Sequence, residues 1–169
     1  MRVFFFIILA VAFSAPACAD PGSGEVRAGN AFYRKGKFQE AAGYYEKAAQ
    51  KNPADPRIEY NLGAAAYKAG DHDAAVDHFQ KSLLTDDDKF RRDVHFNLGD
   101  ALYRSGVARE DREIDQAIKR LESSLLSFEK ARALDLKDKE AAENYEFVKK
   151  ELELLKQNKE QQKNEQKQE

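Results

Sequence analysis

The groups best suited to chemistry are few: three histidines, one cysteine and two short acidic clusters in 169 residues. His72 and His78 stand among Asp71, Asp73 and Asp77, and imidazole with carboxylate is a donor set for a transition metal. Their spacing works against it. Residues six apart on a helix point to faces about 120° apart, and Asp71-His72 falls in a turn, so these side chains read as solvated polar groups. His95, beside Phe96, is expected to face a groove or solvent. Asp86-Asp87-Asp88 could hold calcium but lacks the alternating ligands and glycine of a dedicated loop; it reads as an exposed linker with a helix-capping Asp. The sequence contains no nucleophile elbow, phosphate loop or paired zinc-ligand helix. It therefore predicts no catalytic residue, no metal and no cofactor, and a protein that is not an enzyme.

Composition narrows the partners. With 42% hydrophobic and 34% charged residues, the chain reads as one helix-rich domain. Lys plus Arg (28) nearly balances Asp plus Glu (30), so there is no global positive field to attract a polyphosphate backbone, and nucleic acid is excluded as a partner. A single Cys rules out an intramolecular disulfide. The apolar run from Val3 to Phe13 is too short to cross a hydrocarbon core of roughly 30 Å but suits the central region of an export signal. Two endings are open. Ala17-Cys18-Ala19 fits cleavage before Asp20, giving a signal peptide over residues 1–19; Ala15-Pro16-Ala17-Cys18 fits a lipoprotein box, with Cys18 as the lipidated residue. A lipid on Cys18 would be the only membrane attachment.

The elements that must carry any site follow from a repeat. The stretches beginning at Asn30 and Ala64 agree at an offset of 34, pairing Gly29 with Gly63, Gly36 with Gly70, Ala41 with Ala75 and Tyr45 with Phe79. A third copy places Gly99 and Gly106 a further 36 residues on. The first glycine of each pair predicts a close helix crossing, and the second, at Gly36, Gly70 and Gly106, predicts a left-handed helix end. On the second helix Ala41, Tyr45 and Ala48, like Ala75, Phe79 and Ser82, form one buried stripe at spacings of four and three. Pro53 and Pro56 break the chain between units.

This pattern resembles the tetratricopeptide repeat (TPR). In the first copy Gly29, Phe32, Ala41, Tyr45, Ala48 and Pro53 occupy that family's signature places. The second departs at Ala66, His72, Ser82 and Asp87, and the third carries an insertion near residues 107–119 before Phe128 and Ala131 recover the register. The resemblance implies an all-α, right-handed superhelix of about three hairpins over residues 22–136, in units of about 22–55, 56–89 and 92–136. Ala141, Tyr145, Val148, Leu152 and Leu155 form an amphipathic stripe that predicts a capping helix over 137–156. The polar remainder, 157–169, has no apolar residue to pack and is expected to be disordered or a lone solvated helix.

The resemblance also implies a concave face lined by the first helices, which here brings Asn30, Tyr33 and Arg34, then Arg57, Tyr60, Asn61, Tyr67 and Lys68, then Phe96, Asp100, Tyr103 and Arg104 toward a partner protein. Aromatic area beside cationic donors suits a polypeptide. The carboxylate clamp of chaperone cofactors keeps Asn30 and Asn61 but finds Val26, Asp93 and Asn97 where it needs basic residues, which excludes chaperone-tail capture. The leader, the string VHFNLGDALYRSG and the Gln/Lys/Glu-rich end resemble the TPR proteins of bacterial aerotolerance (Bat) operons. That resemblance implies a periplasmic or membrane-associated scaffold for von Willebrand A-domain proteins. The alternative is an envelope lipoprotein that helps to assemble a pilus or outer-membrane complex.

Overall fold

The computed structural model describes residues 22–110 and 113–166. The signal segment with Cys18, part of the insertion and the last three residues lie outside them. The described residues form seven helices: α1 (Ser23–Arg34), α2 (Phe38–Lys51), α3 (Pro56–Ala69), α4 (His72–Ser82), α5 (Asp88–Val107), α6 (Ile114–Leu134) and α7 (Lys139–Glu165). Each packs on the next in the chain, and α3 also touches α5, so the array is three hairpins in series closed by a seventh helix.

The helix ends are written locally. Asp55, Asp71, Asp87 and Asp138 each accept a backbone N–H of the first turn they precede, from Arg57, Ala74, Phe90 and Ala141, each cap being worth about 1 kcal/mol. Pro56 starts α3, where its missing N–H is not needed. Gly36 and Gly70, at φ of 72° and 86°, end α1 and α3; behind Gly70, the Asp71 N–H reaches the Ala66 carbonyl at 3.0 Å.

The glycines at the crossings act by size. A Cβ on Gly29 would lie 2.5 Å from the Tyr45 ring, one on Gly63 2.8 Å from Phe79, and one on Gly99 2.9 Å from Phe128. These rings fill three core clusters, each of which draws in the first helix of the following unit: Tyr45 with Ile58 and Leu62, Phe79 with Val94 and Leu98, Phe128 with Val148 and Leu152. No hairpin buries its second helix alone, and α7 completes the last cluster.

Two expectations need correction. Gly106 does not end its helix: α5 runs through it to Val107, and Gly106 is absent from the left-handed residues. The insertion extends α6 toward its N-terminus, bringing Ala117 and Leu121 against this part of α5, and a Cβ on Gly106 would lie 2.4 Å from Leu121 Cδ1. The third unit also starts earlier than residue 92, at Asp88, because Asp87 supplies the cap. The tail takes the second of its two expected forms, a solvated helix as far as Glu165. No Gly or Pro interrupts it, and Lys156 pairs with Glu122 (2.7 Å) and Lys159 with Asp115 along α6.

Candidate functional site: the concave cleft

The first helices of the three hairpins face one another across a cleft of about 250 Å³ lined by Asn30, Tyr33, Tyr45, Tyr60, Asn61, Ala64 and Asn97. Each of α1, α3 and α5 contributes one asparagine. The Tyr45 hydroxyl donates to Asn30 Oδ1 at 2.7 Å, which leaves the Asn30 Nδ2 as the donor end of the amide. Asn97 Nδ2 donates to the Tyr60 hydroxyl and to the Asp93 carbonyl, both at 2.9 Å, leaving its Oδ1 as an acceptor. The Asn61 amide makes no hydrogen bond among the described residues.

The cleft is electrically neutral. Burial pushes the Tyr33, Tyr45 and Tyr60 phenols up from their ordinary pKa, with Asp93 adding to the effect at Tyr60, so all three remain protonated near neutrality. The nearby Arg92 is held by Asp93 (2.6 Å) and by Asp138 at the cap of α7 (2.9 Å). Free amides and hydroxyls in a neutral, partly desolvated wall match the alternating donors and acceptors of a peptide main chain.

The structure divides the candidate residues. Asn30, Tyr33, Tyr60 and Asn61 share the cleft. Tyr67, Lys68, Asp100, Tyr103 and Arg104 lie further along the first helices. There Lys68 stands 5.9 Å over the Tyr67 ring and Arg104 5.8 Å over the Tyr103 ring, while Arg104 also has the Tyr67 hydroxyl as a partner. Arg57 is drawn outward to Asp87 (3.3 Å) and the Phe90 ring, and Phe96 packs edge-on against Phe128 in the third core, so both serve the array itself. Arg34 is exposed at the end of α1.

Two cleft residues carry more than the sequence reading gave them. Tyr45 reads as core alone, yet its hydroxyl reaches the cleft; a Tyr at a buried position is the signal, because its O–H must find a partner. Asn97 reads only as a lost basic residue. α7 extends the same face, since Phe147 meets Tyr103 at 5.5 Å.

The histidines do not gather. His72 packs on Tyr67, and burial together with Arg104 lowers its pKa. His78 Nδ1 lies 2.8 Å from Glu59 Oε2. His95 is a correction: it faces neither groove nor solvent but is buried, its Nδ1 without a hydrogen-bond partner, and burial holds its pKa at about 4 with Lys130 and Arg91 adding to the effect. His95, Leu98 and Leu102 share one helix face, a spacing visible in the sequence. Among the described residues no group of three or more His, Cys, Asp or Glu could hold a metal ion, and no helix is long and apolar enough to cross a membrane.

Comparison with known proteins agrees with this geometry. Residues 26–90 match the family model described as tetratricopeptide repeat. Among solved structures, the TPR domain of Arabidopsis OM64 is similar at 22% identity and a TM-score of 0.62, covering 76% of this chain and 94% of its own. The second TPR domain of human RPAP3, in complex with an HSP70 peptide, is similar at 22% identity and 0.55, covering 74% and 92%. The Yersinia enterocolitica type III secretion chaperone SycD, in complex with a peptide of the translocator YopD, is similar at 20% identity and 0.52, covering 80% and 92%. None of the curated proteins matches the chain in sequence. With three glycine-spaced crossings and a continuous first-helix face, the array has the tetratricopeptide-repeat fold, and residues 26–90 match the tetratricopeptide-repeat model.

Proposed function

We propose that this chain is an exported, non-enzymatic adaptor that holds a segment of a partner protein in its concave face, within a Bat-type periplasmic or membrane-associated complex with von Willebrand A-domain proteins. The observation that carries the binding role is the neutral cleft, where Asn30, Asn61 and Asn97 converge from three helices with unused hydrogen-bonding capacity. Unspent amides in a partly desolvated wall are costly to a protein with no ligand. Structural neighbours of the same fold hold peptides, from HSP70 in one and from YopD in another. The leader and the closing strings supply the Bat reading.

Photocrosslinking tests it. A photoreactive residue placed at position 61, with another at the exposed Glu46 on α2 as control, is expected to give an adduct only from position 61. Mass spectrometry is expected to identify a protein with a von Willebrand A-type domain. Adducts from position 46 alone would remove the groove from the account, and a groove adduct with an envelope-assembly protein would replace the Bat reading. The mass of the mature N-terminus separates the two exported forms, since a free Asp20 excludes the Cys18 lipid.

A further inference from the structure

Asp100 lies three residues beyond Asn97 on α5, about 4.5 Å further along the groove by the helical rise. Its carboxylate is partly buried, and burial pushes its pKa up against the pull of Arg104 and Lys68. Neither base reaches it. Arg104 is engaged by the Tyr67 hydroxyl and the Tyr103 ring, and Lys68 stands over the Tyr67 ring. Among the described residues no hydrogen bond or ion pair satisfies Asp100. A half-desolvated carboxylate without a donor is an uncompensated cost that an incoming cation would remove.

The surroundings fit the rest of such a side chain. Tyr103, one turn beyond Asp100, meets Phe147 of α7 edge-on, and Phe147 is 49% exposed where an isolated aromatic would be covered. Glu151 on α7 adds negative potential at Tyr103. Long basic side chains lay an aliphatic stem on apolar surface while the charged head reaches a carboxylate. A free C-terminal carboxylate has the opposite requirement, and no cation lines the asparagine cleft, where the nearby Arg92 is already paired twice.

We infer that the groove takes an internal, extended stretch of a partner polypeptide, its main chain held by Asn30, Asn61 and Asn97, with one Lys or Arg seated on Asp100 along Tyr103 and Phe147. This rests on the binding role proposed above and specifies its ligand.

Selection on the full chain from a random library of peptides of about nine residues, acetylated and amidated at the ends and spanning roughly 30 Å when extended, tests it. Selected peptides are expected to share one basic position. Asp100→Asn, which keeps shape and removes charge, is expected to weaken them about tenfold, and Asp100→Lys to reverse the preference toward Glu at that position. Peptides that crosslink at position 61 but share no basic residue, or that bind Asp100→Asn equally well, would overturn this inference and leave the groove reading standing. Selected peptides that bind without crosslinking at position 61 would overturn both.

Discussion

The first two hairpins and the last one use the same residue types for different ends. In α1 to α4 the period is kept, and the second glycine of each pair, Gly36 or Gly70, takes a positive φ and turns the chain. In α5 and α6 the insertion lengthens both helices to 20 and 21 residues, and the corresponding Gly106 stays helical and serves as a contact for Leu121. A glycine at a fixed place in a period is thus compatible with two physical needs, a left-handed turn or a missing Cβ. Which one applies depends on what packs there.

The largest expected effect concerns the ring that closes the third hairpin. Phe128 is fully buried over Gly99 and joins the cluster that α7 completes. Phe128→Ala is expected to cost about 3–5 kcal/mol. In a serial array the damage should stay local, so hydrogen exchange is expected to accelerate in α6 and α7 while α1 and α2 remain protected. Equal acceleration everywhere would show that the two regions fold as one block.

His95, in the third hairpin, gives the next effect. A free imidazole takes up its proton near pH 6.5, whereas the buried one waits until about 4. Between those values the unfolded chain binds a proton that the folded chain refuses, so stability falls as pH drops through the window, by roughly 3 kcal/mol in full. Urea unfolding at a series of pH values is expected to show a shallower loss in His95→Gln than in the wild type; parallel curves would contradict it.

The two glycine roles separate under one substitution. Asn tolerates the left-handed region, and a Cβ on Gly70 meets open space, so Gly70→Asn is expected to cost under about 1 kcal/mol. Gly106→Asn drives atoms into Leu121 and is expected to cost about 1–3 kcal/mol. Thermal melts of the pair decide it, and equal shifts would erase the distinction. Smallest is Lys159→Ala, which removes a pair exposed on both sides and is expected to leave the melting temperature nearly unchanged.

Much of the architecture was legible because it rests on period and size. Gly29, Gly63 and Gly99 against Tyr45, Phe79 and Phe128 is a pattern of small against large that needs no coordinates to recognise. Within the site, Asn30, Tyr33, Tyr60 and Asn61 could be placed on one face by register alone. What register does not carry is a side chain's second bond. The Tyr45 hydroxyl and the Asn97 amide enter the cleft through partners on other helices, and Arg57 leaves it for Asp87 for the same reason. The tail stayed open between disorder and a solvated helix for another cause: a polar helix without a buried face has little sequence signal except the absence of breakers.

The central claim is that the asparagine-lined cleft is the binding surface, and calorimetric titration with the crosslinked partner segment tests it most directly. A Tyr60→Ala, Asn61→Ala double variant is expected to lose at least about tenfold in affinity, while Glu46→Ala on the far side of the first hairpin binds like the wild type. Unchanged affinity in the cleft variant, or an equal loss in both, would contradict it.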